Sequence, residues 1–158
     1  MKVNLIAVGK LNEDYFREAF SEYEKRLSRF CIFSVRELPE SKLPDNPGNA
    51  EIAAALEKEA VLIEKALVKD ADNIAFCIEG EKVSSEGYSK LINSGKNINL
   101  IIGSTHGISP TIKGKCRKIS VSDMTFPHRL FRIIVAEQTY RAFQIAAGGR
   151  YHSFYQKN

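Results

Sequence analysis

Four stretches of this chain hold residue types that could bind a ligand and act on it. The first is Ile101-Ile102-Gly103-Ser104-Thr105-His106-Gly107. An apolar strand feeds a Gly-x-x-x-Gly turn, where missing side chains let backbone N–H and C=O groups approach a ligand closely. It lacks the G-x-G-x-x-G pattern and the Lys-Ser/Thr of a P-loop, and an ordinary tight strand-to-helix turn has the same spacing. The second is Val121-Ser122-Asp123-Met124-Thr125-Phe126-Pro127-His128-Arg129. Its small polar groups, its Met and Phe and its stiffening proline suit the wrapping of an adenine by apolar walls and backbone hydrogen bonds. Asp123 and Thr125 are equally good turn formers. The third holds Glu137 and Arg141, four apart on a helix and able to pair. Such a pair is either a surface ion pair of little worth or an arginine held ready for a phosphate or an interface. The fourth is the tail Gly148-Gly149-Arg150-Tyr151-His152-Ser153-Phe154-Tyr155. Two glycines permit a sharp turn, and the cation, rings and imidazole that follow suit stacking on a base beside a phosphate. His128 and His152 supply imidazoles, the side-chain type suited to moving a proton near neutrality.

These stretches need a frame. Residues 3–8 are short, apolar and rich in β-branched side chains, which reads as a buried strand ended by Gly9. Asn12 is the expected cap of a helix with Glu13 and Asp14 in its first turn. Phe16, Phe20, Tyr23, Leu27 and Phe30 make its apolar stripe. Residues 32–38 alternate as a second strand. Three prolines and a glycine in residues 39–48 mark a loop, and residues 50–67 form a long helix. Strands then follow at 74–78, 98–103 and 118–122. Between them come a helix capped by Ser84 or Ser85 and a short helix begun by Ser109-Pro110. The last helix covers residues 129–146. This alternation predicts an α/β fold, a mainly parallel sheet with helices on both faces, as one domain over residues 1–158. Ligands in such sheets lie beyond the carboxyl ends of the strands, here after residues 78, 102 and 121.

Composition agrees with a folded chain of this kind. Of 158 residues, 44% are hydrophobic and 27% charged, which excludes a disordered chain or a small disulfide scaffold. No apolar run approaches the roughly 20 residues that span a bilayer, and the start is too interrupted for a signal peptide. A cytoplasmic protein with no membrane partner is expected. Cys31, Cys77 and Cys116 are widely spaced, as in a reducing compartment, and read as apolar fillers. The three histidines have no metal-ligand spacing, so no metal is expected. Charge is uneven along the chain. Residues 1–108 carry 14 Lys and Arg against 17 Asp and Glu, a net −3. Residues 109–158 carry 9 against 2, a net +7. A basic final third is suited to an anionic partner such as RNA, or is simply a solvated face.

Taken together, the chain resembles the ribosomal RNA large subunit methyltransferase H family of the SPOUT superfamily. The likeness spans nearly the whole length. It is carried by Ala7-Val8-Gly9-Lys10, Glu22-Tyr23, Lys58-Glu59, Gly80, Ser84-Ser85-Glu86-Gly87, Gly103 and Gly107. Most specific are Met124-Thr125-Phe126-Pro127-His128, Arg132, Glu137-Gln138-x-Tyr140-Arg141-Ala142-Phe143 and Tyr151-His152. The resemblance implies methyl transfer from S-adenosylmethionine to N3 of a pseudouridine in 23S ribosomal RNA of the assembled ribosome. It also implies a C-terminal trefoil knot and a homodimer with its site at the subunit interface. By resemblance the cofactor positions are Phe76, Gly103, Val121, Ser122, Asp123, Met124, Thr125 and Phe126. His128 and His152 are candidates for the base, and His128 is alternatively a structural hydrogen-bond partner. Tyr151 and His152 would bind the target, while Arg132 and Arg141 would bind phosphate or steady the anion. Two departures stand out. Ser104 replaces a family glycine, which costs about 1 kcal/mol or more if its φ is positive. Ser153 stands where the family has a cation, a role Arg150 can take. Two other readings use the same features: a SPOUT enzyme acting on transfer RNA, and a catalytically silent factor that binds the ribosome or RNA.

Overall fold

Val3, Leu5 and Ala7 of strand β1 (Lys2–Val8) belong to one buried apolar cluster, and Ile6 and Val8 to another. A strand apolar on both faces must be covered on both. The structure, a computed structural model, describes residues 1–153. Phe154 and Tyr155, read as tail aromatics, lie outside the described residues. Four more strands join β1: β2 (Ile32–Leu38), β3 (Ala71–Lys82), β4 (Asn97–Ile102) and β5 (Arg117–Ser120). Their order is β2-β1-β4-β3-β5, and every neighbouring pair is parallel.

Helices α1 (Asp14–Leu27), α3 (Ser85–Ile92) and α5 (His128–Ala146) cover the face of Val3 and Leu5, burying Phe20, Leu27, Tyr88, Ile92 and Val135. Helices α2 (Asn49–Ala66) and α4 (Pro110–Lys113) cover the other through Ala60, Ile63 and Ile112. Each such large aliphatic or aromatic side chain contributes roughly 1.5–3 kcal/mol on burial. The sheet also carries a polar row in register across four strands, Ser34, Asn4, Asn99 and Asn73. Its amides reach the carbonyls of Ala66 and Val68 at 3.0 and 2.9 Å, fixing the exit from α2.

Three local expectations change. Glu13, not Asn12, occupies the capping position of α1, and it makes no side-chain cap bond because its carboxylate meets Arg129 of α5. Phe30 lies past the end of that helix and reaches α5 by stacking on Phe143, ring centroids 5.5 Å apart. Strand β3 runs beyond residue 78 to Lys82, with a register shift in which Ile119 faces both Phe76 and Glu81. Gly80 is needed there: a Cβ on it would stand 2.5 Å from the Ile119 carbonyl carbon.

Candidate active site

The carboxyl ends of β3, β4 and β5 surround a cavity of about 370 Å³, lined by segments 76–79, 102–108, 119–122 and 124–126 with Lys113, His128 and Phe131. Residues 102–108 form one wall. Gly103 permits the closest approach: a Cβ there would stand 2.2 Å from the Gly107 carbonyl oxygen. The turn closes through a bond from Gly107 N–H to the Ser104 carbonyl at 2.9 Å, with Gly107 at φ +90°. Ser104 is not strained. Among the described residues Asp70 is the one non-glycine at positive φ. The Ser104 hydroxyl instead donates to the buried Glu59 Oε2 at 2.9 Å.

The second wall is the loop after β5. Ser120 Oγ donates to the Ser122 carbonyl at 2.9 Å, and Ser122 Oγ accepts from Met124 N–H at 3.0 Å, so short-range bonds shape the loop. Met124 is 74% exposed. Phe131 of α5 stacks with Phe126 and meets Phe76 edge-on, centroids 6.1 and 5.4 Å apart. Seven of the eight positions expected to hold a cofactor therefore line this cavity. Asp123 does not; it is an exposed carboxylate paired with Lys82. Its polar side chain keeps its hydration by turning outward to solvent and to Lys82.

The lining chemistry selects among ligands. Among the described residues Lys113 is the one Lys or Arg in it, and it is tied to Glu79. That ion pair and a hydrogen bond from its own backbone hold the Glu79 carboxyl below its usual range. Aromatic walls, backbone turns and a carboxylate at the rim, with the sole cation engaged, fit a nucleoside without phosphates. Sequence reasoning missed Glu79, Lys113 and Phe131 as lining residues, because none lies in a distinctive motif; His106 lines the cavity as part of the Gly103–Gly107 stretch singled out in the sequence. A second cavity of about 210 Å³ shares Phe76, Val121, Ser122 and Phe126 with the first and extends to Ser85, Tyr88 and Gln138.

The five residues expected to do the chemistry are divided. His128, the first residue of α5, lines the cavity beside Gly9. Arg132, one turn on, is 1% exposed; it pairs with Glu37 and donates to the Gly9 carbonyl at 2.8 Å. Glu37 also accepts from Leu11 N–H at 3.1 Å. Arg132 thus braces the Gly9–Leu11 segment next to His128, and burial keeps it from a phosphate. Arg141, Tyr151 and His152 gather elsewhere, around Glu137. Glu137 Oε1 accepts from Arg141 Nε and from the Tyr151 hydroxyl, both at 3.0 Å. Arg141 lies 4.7 Å from the centroid of the Tyr151 ring and 3.3 Å from His152 Nδ1. His152 Nε2 is 2.7 Å from Glu86. Burial first, then the Glu137 carboxylate, pushes the Tyr151 phenol well above its usual range, so it stays a donor. None of these three lines the cavity. Gln138 links the regions, accepting from Ser85 Oγ at 2.8 Å and donating to Glu137 at 2.7 Å while it lines the second cavity.

The basic final third is not a bare basic face. Among its eight described Lys and Arg, six are in ion pairs: Lys113, Lys115, Arg117, Arg129, Arg132 and Arg141. Five of those acids come from the first 81 residues, so charges separated in sequence meet in space. Among the described residues no group of three His, Cys, Asp or Glu could hold a metal ion, and no helix is long and apolar enough to cross a membrane.

A family model described as predicted SPOUT methyltransferase matches residues 1–152. Ribosomal RNA large subunit methyltransferase H of Streptococcus thermophilus (strain CNRZ 1066) is 44% identical over 159 residues, covering 96% of this chain and 99% of the relative. The protein of that name from Clostridium perfringens (strain 13 / Type A) is 41% identical over 158 residues, with the same coverage. That from Streptococcus equi subsp. equi (strain 4047) is 40% identical over the same length.

Proposed function

This chain belongs to the ribosomal RNA large subunit methyltransferase H family of SPOUT methyltransferases, and on that footing we propose that it methylates N3 of a pseudouridine in 23S ribosomal RNA of the assembled ribosome, with S-adenosylmethionine as donor. The observation that carries the reading is the cavity: two backbone turns and an aromatic wall suited to a phosphate-free nucleoside, with a carboxylate at the rim. When bound, the sulfonium cofactor supplies an already activated methyl group. The protein's task is then mainly positioning. Gly103 and the segment Val121, Ser122, Met124, Thr125 and Phe126 hold the nucleoside by backbone groups, and Phe76, Phe126 and Phe131 exclude water from it. N3 of pseudouridine lies between two carbonyls and must lose its proton. We assign that proton to an imidazole nitrogen of His128, which lines the cavity. Arg132 is a positioning residue that fixes the Gly9–Leu11 segment beside it.

Arg141, Tyr151 and His152 are assigned to the RNA. They lie off their own chain's cavity, which supports a homodimer in which the cluster of one copy serves the cavity of the other. Glu137 and Glu86 hold that cluster in shape. A single domain over 1–158, a trefoil knot in its C-terminal part and a cytoplasmic location belong to the same reading. The decisive experiment incubates the purified protein with labelled S-adenosylmethionine and either ribosomes lacking the modification or transfer RNA. The expected product is methylated 23S RNA, with the mass increment mapped to N3 of one pseudouridine. Label in transfer RNA alone would replace this substrate, and failure to bind S-adenosylmethionine by calorimetry would leave a silent binding factor.

A further inference from the structure

Helix α2 sends one acid inward. Glu59 is 3% exposed, and among the described residues no cation pairs with it. A carboxyl group withdrawn from water is costly unless donors meet its oxygens. Both oxygens are met here, by two separate parts of the chain. Oε1 accepts from the Ser41 N–H at 2.9 Å, and Oε2 accepts from the Ser104 hydroxyl at 2.9 Å. Ser41 belongs to the proline-bearing loop after β2; Ser104 follows Gly103 in the turn that lines the cavity. The loop grips helix and turn as well. Ser41 Oγ donates to the Ala55 carbonyl at 3.3 Å, and Glu40 Oε1 accepts from Thr105 N–H at 3.3 Å. Glu40, Ser41 and Glu59 do not line the cavity. They hold its turn from behind.

That turn needs holding. It contains two glycines, one at φ +90°, and an isolated bridge between Ser104 and Gly107. Glycine leaves the backbone free to take other conformations. Anchoring the Ser104 side chain restricts its rotamer and its backbone together. We infer that Glu59 is a positioning residue for the cavity, acting through Ser104 to fix the backbone groups at 103–105 against which the nucleoside rests. This rests on the proposed binding of S-adenosylmethionine at that turn.

The test is a double-mutant cycle of Glu59→Ala, Ser104→Ala and the double variant in the full chain, titrated calorimetrically with S-adenosylhomocysteine. The affinity per folded molecule should fall about tenfold in each single variant, the scale of one lost buried hydrogen bond, and no further than about twofold more in the double variant. With ribosomes as acceptor, KM for S-adenosylmethionine should rise by a similar factor while kcat stays within about twofold, a split that loss of folded protein would not produce. Parent-like affinity in Ser104→Ala, or losses that multiply in the double variant, overturns the inference. Should Glu59→Ala fail to melt cooperatively, Ser104→Ala alone decides by the same criterion. If the parent chain binds no S-adenosylhomocysteine, the functional reading fails instead.

Discussion

The Tyr151 hydroxyl donates to Glu137 Oε1 at 3.0 Å and so fastens the last described turn of the chain to the middle of α5. The same oxygen holds Arg141, which in turn lies beside His152. Tyr151→Phe keeps the ring under the guanidinium but releases the tether. Methyl transfer to ribosomes should fall about tenfold, the effect of one hydrogen bond to a charged acceptor, with S-adenosylhomocysteine affinity changed less than twofold. A parent-like rate would remove Tyr151 from target binding.

Arg132 should behave as a structural residue. Arg132→Met removes a buried guanidinium and strands the Gly9 carbonyl and Glu37. Urea unfolding should show a loss of about 3 kcal/mol. If the arginine served the RNA directly, stability would be unchanged and only ribosome affinity would drop.

Gly103→Ala tests the turn from the front. The new Cβ would meet the Gly107 carbonyl at 2.2 Å and Ile108 Cγ1 at 2.7 Å, so backbone must shift. The expected result is at least about tenfold weaker S-adenosylhomocysteine binding and a stability loss of about 2 kcal/mol. Calorimetry and thermal melts measure both, and normal binding would show that the cofactor lies elsewhere.

Tyr88 makes stability depend on alkaline pH. Its buried hydroxyl is 3.0 Å from Thr139 Oγ1, and burial pushes the phenol far above its usual range, the Thr139 bond opposing only in part. The unfolded phenol ionises near pH 10 while the folded one stays neutral. Its contribution is therefore whole below about pH 10 and is lost as pH climbs toward the folded value, by about 1.4 kcal/mol per pH unit. Tyr88→Phe should flatten the fall in urea-unfolding stability between pH 10 and 11. An unchanged slope would mean the phenol ionises as freely in the fold as outside it.

The cysteines should be sluggish. Burial pushes the Cys31 thiol up to about 11 and, together with Cys77, that of Cys116 to about 11. Cys77, on the cavity wall, is raised by burial and then by the Glu79 carboxylate. At pH 8 the thiolate fraction of Cys31 and Cys116 is roughly one in a thousand. Iodoacetamide should label the native protein at least about tenfold more slowly than the urea-unfolded chain, read peptide by peptide in a mass spectrometer. Labelling of Cys116 at the unfolded rate would contradict its burial.

Much of the fold was legible because its signals are local. β2 spans residues 32–38 as the alternation predicts, and Ser84 caps α3 by accepting from Gly87 N–H at 3.1 Å. Pro110 starts a helix capped by Ser109. The β3 bulge was not legible, since it arises where the backbone of β5 passes Gly80. Of the site, the turn after β4 followed from period and glycine placement, and the loop after β5 from its small polar residues and Pro127. Arg132 could not be assigned so: it shares α5 with Arg129 and Arg141, and nothing local tells a buried arginine from an exposed one.

By itself, then, the sequence determined the alternation of strands and helices, the strand ends that surround the cavity, and the family. Those are properties of residue period, backbone freedom and short motifs, all readable within a few turns of chain. Only the tertiary structure decided that Asp123 turns away from the cavity, that Arg132 meets Glu37 across 95 positions, and that Glu59 grips Ser104 across 45. It also decided that most of the final third's cations are matched by acids from earlier strands and helices. Burial and pairing depend on which elements the packing brings together, and a linear pattern carries no distance between residues so far apart.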